Sequence, residues 1–93
     1  MIIGAVTITI YAPWVHSLKE KRMIVKSICA KVSNRFNVSI AEINNHEFHQ
    51  SIVLGIACVA GETGHADSII DNVLNYIEGQ TEGEVIRIER ELR

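Results

Sequence analysis

SLKEKRMIVKSICAKVSNRF, residues 17–36, opens with a helix start signal and then repeats apolar residues at helical spacing. Ser17 is placed to cap the first turn and Glu20 stands three residues on, the pair that forms a capping box. Leu18, Val25, Cys29, Val32 and Phe36 fall on one stripe, so this helix has a single face to bury. The same stretch holds Lys19, Lys21, Arg22, Lys26, Lys31 and Arg35, six of the nine basic residues of the chain. On a helical wheel Lys19, Arg22 and Lys26 share one flank of the stripe, and Lys21, Lys31 and Arg35 the other. Glu20, Met23, Ser27 and Asn34 lie between them on the outward face.

Residues 2–12 precede this helix and read as a strand. Gly4, Val6, Ile8 and Ile10 form one face; Ile3, Ala5, Thr7, Thr9 and Tyr11 form the other. Neither face is strongly polar, which puts the strand in the middle of a sheet. Pro13 ends it, and Trp14 is placed to cover the helix start. Residues 37–43 read as a shorter, more polar strand running into the turn-forming Asn44-Asn45. Residues 51–60 form a third strand, apolar on both faces and so also central; its facing is not fixed by the pattern. A second helix spans residues 65–78 with Ile69, Ile70, Val73, Leu74 and Ile77 as its stripe and Gly79 as its stop. Residues 84–93 alternate Ile86, Ile88 and Leu92 with Arg87, Glu89 and Glu91, the pattern of a charged edge strand.

The order is β-α-β-β-α-β. Right-handed crossovers then favour an α+β, ferredoxin-like βαββαβ sandwich: a four-stranded antiparallel sheet, strands one and three central, with two helices on one face. No linker or low-complexity tract divides residues 1–93, so one domain is expected. A chain of 93 residues buries roughly 60–65% of its unfolded surface, enough for one modest core.

The net charge of −2 conceals a division. Up to Phe36 six basic residues face Glu20 alone; from Asn37 onward three (Arg87, Arg90, Arg93) face ten acidic ones. Such polarity suits a basic face for an anionic partner, or two faces of a self-associating protein. Cys29 and Cys58 lie far apart within apolar runs, which points to free thiols in a reducing compartment. No leader-like start and no apolar run near 18 residues is present, so the expectation is a cytoplasmic protein with no membrane association.

Three further pieces resemble a known family: Ser17-Leu18-Lys19-Glu20-Lys21-Arg22; Phe36-Asn37-Val38-Ser39-Ile40-Ala41-Glu42; and Gln50-Ser51 with Leu54-Gly55-Ile56-Ala57. Together with the element order they are similar to the YlxP-like family, small bacterial proteins classed as a domain of unknown function. The resemblance covers nearly the whole chain and implies a ferredoxin-like fold with no established activity. Genes of such proteins often sit near translation and ribosome-maturation genes, which implies an RNA-linked role. His49 departs from the pattern, where the family would carry a Trp.

The basic helix supports two readings. Its long side chains can lay their stems along the rim of the core. Alternatively, cations crowded into the first turn, against the helix dipole, can meet phosphate together with the helix start. On the second reading His16, Ser17, Lys19, Lys21, Arg22 and Lys26 contact the backbone of RNA or a ribosomal subunit. The competing expectation is a homodimeric protein-interaction or small-ligand module using the open sheet face, through some of Ile3, Ala5, Val53, Ala57 and Val59.

Other signatures are weak. The third strand has no aromatic residue, which removes a base-stacking platform of the RNA-recognition-motif type. Gly61-Glu62-Thr63-Gly64 matches a GxxG loop but joins strand to helix and carries an acid. His46 and His49 have an HxxH spacing outside any zinc-protease pattern and read as turn histidines, with no metal or cofactor expected. No P-loop, GxGxxG, CxxC or paired-carboxylate arrangement is present, so the expectation is a protein that is not an enzyme.

Overall fold

The two strands that are apolar on both faces take the middle of the sheet, and the two charged ones take its edges. The computed structural model describes residues 1–93. Its elements are β1 (Ile2–Tyr11), α1 (Leu18–Arg35), β2 (Ser39–Asn44), β3 (Ser51–Ala60), α2 (Thr63–Gln80) and β4 (Glu84–Leu92). The strand order is β2-β3-β1-β4, and every neighbouring pair is antiparallel.

Register settles the facing of β3. Ile8 lies opposite Leu54, Ile10 opposite Ile52 and Val6 opposite Ile56. Opposed residues share a face, and all six are buried in one core cluster with Val32 of α1 and Ile70, Val73 and Ile77 of α2. The helix side of β3 is therefore Ile52, Leu54, Ile56, Cys58 and Ala60. Val53, Gly55, Ala57 and Val59 look the other way, beside Thr9, Thr7, Ala5 and Ile3. Gly4 faces the helices because a Cβ there would stand 2.8 Å from Ile70 Cδ1 and 3.3 Å from Ala66 Cβ. The missing side chain lets α2 approach β1.

Three boundaries differ from the sequence reading by two residues, the others by one or none. α2 begins at Thr63, not His65, and runs through Gly79 to Gln80, where Thr81 N donates to Ile77 O at 2.9 Å. An exposed glycine in a last turn costs about 1 kcal/mol, too little to stop a helix that has just buried Ile77. β2 begins at Ser39, the first residue in register with β3.

The stripe of α1 is also rotated from the expected one. Its fully buried residues are Lys21, Ile28 and Val32, while Leu18, Val25 and Cys29 are half-buried. α1 lies over β2, whereas α2 packs on β1 and β3 and reaches β4 least. No helix is long and apolar enough to cross a membrane.

Candidate nucleic-acid interface

The start of α1 is built as its sequence implies. Ser17 Oγ accepts from Glu20 N at 3.1 Å, and Glu20 Oε2 accepts from His16 N at 3.1 Å. The reciprocal box satisfies two backbone donors and sets a carboxylate at the positive end of the helix. An anion arriving at this end would meet Glu20. His16 and Ser17 are both exposed here, but their backbone N–H and hydroxyl oxygen, respectively, are already engaged.

Lys21 corrects the expected set of phosphate contacts. It is 1% exposed, the only charged residue among the buried ones. Its Nζ donates to Asn45 O at 2.6 Å and Phe48 O at 2.7 Å, and stands 2.8 Å from Glu42 Oε2. The approach to Glu42 is close but lacks hydrogen-bond geometry, so that oxygen is buried beside a positive charge without a donated proton. Burying an ammonium is costly unless it is paired and hydrogen-bonded. Here two carbonyls accept its N–H groups, a carboxylate stands beside it, and burial leaves the ammonium out of reach of an outside ligand. The carbonyls belong to the turn after β2, where Asn45 takes a positive φ of 56°, a conformation Asn tolerates. Lys21 thus fastens the β2–β3 turn to α1. One signal in the sequence pointed to it: Glu42 shares a strand face with Ile40, so it had to meet a cation from the helix layer.

The other cations stand differently. Lys19, Arg22, Lys26 and Lys31 are exposed and make no ion pair with any carboxylate. Arg35 lies over the ring of Tyr76 at 4.9 Å, a cation–π contact that also covers the T-shaped Phe36–Tyr76 pair. By contrast, all three C-terminal arginines are paired: Arg87 with Glu89, Arg90 with Asp67 and Asp71, Arg93 with Glu91. The hydrogen bond that Arg90 donates to Asp71 pushes its pKa further up, so that arginine is firmly charged. The C-terminal cations are thus all paired, whereas four of the six N-terminal ones, Lys19, Arg22, Lys26 and Lys31, have no carboxylate or aromatic partner.

The remaining sequence candidates separate. Trp14 is exposed and lines a groove of about 330 Å³ with Met23, Ile24, Ser27, Lys31 and Glu82, which places it beside the middle of α1 and not over its start. The His46 ring faces the Glu42 carbonyl oxygen at 3.2 Å, and no three metal-ligating side chains gather there or elsewhere. Burial, and then the charge of Glu42, push the Cys29 thiol up, away from the reactive thiolate form. Cys29 and Cys58 are both free. On the open sheet face Val59 and Tyr11 are 66% and 41% exposed at opposite ends, while Val53 is buried.

The βαββαβ order, the antiparallel sheet and the single helix layer define a ferredoxin-like α+β sandwich. Two designed proteins have similar architecture. One is a solution structure of the design LFR1 1 with a ferredoxin fold, with TM-score 0.60 and 21% identity, covering 100% of this chain and 86% of that one. The other is the design Foldit4, with TM-score 0.52 and 13% identity, covering 99% and 94%. Residues 3–90 match the family model described as Protein of unknown function (DUF503), and the chain belongs to that family. It is 40% identical over 62 residues, 67% of each chain, to the protein described as Uncharacterized protein YlxP of Bacillus subtilis (strain 168).

Proposed function

We propose that this protein is a non-catalytic RNA-binding module linked to translation or ribosome maturation, and that it grips phosphate backbone through the outward flank of α1. The observation that carries the reading is the unneutralised row Lys19, Arg22 and Lys26. These residues are spaced at i, i+3 and i+7 on one exposed flank, with no carboxylate partner, in a protein that pairs its three C-terminal arginines. Lys31 adds a fourth free cation farther along the helix. Lys21 takes no part, because its ammonium is enclosed.

Such contacts are point charges and one guanidinium fork aimed at phosphate, with no aromatic platform on the sheet. Binding is therefore led by charge and backbone shape, not by base identity. Three phosphates neutralised give a salt slope of about −2 to −3 in log K against log salt. Co-sedimentation with ribosomal subunits across a salt series tests this. The expected result is association that fades with that slope and is lost in R22E/K26E. Association that is indifferent to salt, or unchanged in that variant, refutes the reading.

A further inference from the structure

β4 is the outer strand of the sheet, nine residues long and without proline. An uncovered edge of this length offers a row of backbone donors and acceptors to another strand. The opposite edge, β2, is shorter, at six residues; each edge strand has one slip in its pairing, between Glu42 and Asn44 in β2 and between Val85 and Arg87 in β4. β4 is unusual in a second respect. On the helix side α2 leaves it uncovered, with Ile88 and Leu92 41% and 44% exposed, and Ile86, the extra residue between Val85 and Arg87, is 56% exposed. Hollows of about 480 and 320 Å³ lie along it, the first lined by Glu78, Val85 and Ile88, the second by Asp67, Arg90 and Leu92. Between them Arg90 crosses to Asp67 and Asp71 of α2.

The charges on this strand choose their own partner. If a second β4 adds antiparallel about a twofold axis normal to the sheet, one residue must lie opposite its own copy. Centring on Arg87, Glu89, Arg90 or Glu91 sets like charges face to face, which destabilises a strand pair. Centring on Ile86 or Leu92 avoids like pairs but engages only part of the strand, whereas centring on Ile88 avoids them and pairs the whole of Glu84–Leu92 with its copy. It places Ile88 against Ile88 on the helix side, and on the open face it sets Arg87 against Glu89 of the second copy twice over. The Arg87–Glu89 pair within one strand then becomes a ring of four alternating charges.

We propose that two copies of this chain join edge to edge through β4, in the register centred on Ile88, to form a continuous eight-stranded sheet. The occupant is a second copy because the sequence Arg87-Ile88-Glu89 is complementary to itself when reversed. The two Ile88 side chains fill the strip that α2 leaves bare. Strand addition of this kind draws affinity from main-chain hydrogen bonds and specificity from the side chains beside them. The area is at the small end for protein interfaces, so the dimer forms reversibly at micromolar concentration or above.

Sedimentation velocity from micromolar to near-millimolar concentration tests this with charge swaps. R87E places a carboxylate opposite Glu89 of the second copy, and E89R places a guanidinium opposite Arg87. Each single swap is expected to leave a monomer, while R87E/E89R restores the attraction in reverse and recovers the dimer. Both positions are exposed, so far-UV circular dichroism should show the same fold in all variants. A wild-type protein that stays monomeric throughout refutes the inference. So does a dimer that ignores the single swaps, which would place self-association on the open sheet face instead.

Discussion

α1 and α2 are equal in length at 18 residues, lie on the same face of the same sheet, and are held there by different physics. α2 buries Ala66, Ile70, Val73, Leu74 and Ile77 and not one charged side chain. It is an amphipathic helix fixed by apolar area. α1 buries three residues, and one of them is Lys21. It is fixed partly by a polar clamp that reaches across to β2 and the turn beyond it. The difference teaches that the helix with fewer apolar anchors is the one whose outer surface is left free and charged, so the helix that carries the unpaired cations is the one whose position depends on a buried ion.

Truncation on the apolar side should give the largest effect. Ile77 is fully buried and closes the last turn of α2. Ile77→Ala is expected to cost about 4 kcal/mol in urea unfolding, the sum of lost transfer energy and a cavity. Cutting the clamp comes next. Lys21→Met leaves Glu42 facing a thioether, with two turn carbonyls unpaired, and Glu42 keeps only 15% of its side chain in solvent. That substitution is expected to cost about 3 kcal/mol, near the low end for a broken buried pair. The loss should appear first as faster amide exchange around residues 45–48, with α2 still protected. If Lys21→Met proved neutral, the contrast between the two helices would fall. The smallest change is Ser17→Ala, which removes the cap on α1. It should cost about 1 kcal/mol by the same unfolding measurement, with RNA affinity nearly unchanged because Lys19, Arg22 and Lys26 remain.

Much of this architecture was legible in the chain. Alternation marked the strands, the capping box marked the start of α1, and the two doubly apolar strands fell into the centre of the sheet as their composition required. The site was legible only in part. Lys19, Arg22 and Lys26 stand exposed, as expected of long charged side chains on an outer flank. Lys21 went the other way. A lysine in a basic run reads as surface, since charge normally stays in water, and the carbonyls of Asn45 and Phe48 that reverse this lie 24 and 27 residues away.

The sequence by itself determined the element order, the sheet's central and edge strands and the family, because periodicity and short-range capping are local properties of a chain. It also determined that positive charge collects in the first 36 residues. Only the tertiary structure decided which of those charges are free. That depends on what lies opposite each side chain once β2 and β3 are paired, and on where α2 stops covering β4. Desolvation and ion pairing act across space, so residues that look alike in a row of cations divide into one that holds the fold together and others that stay exposed and unpaired.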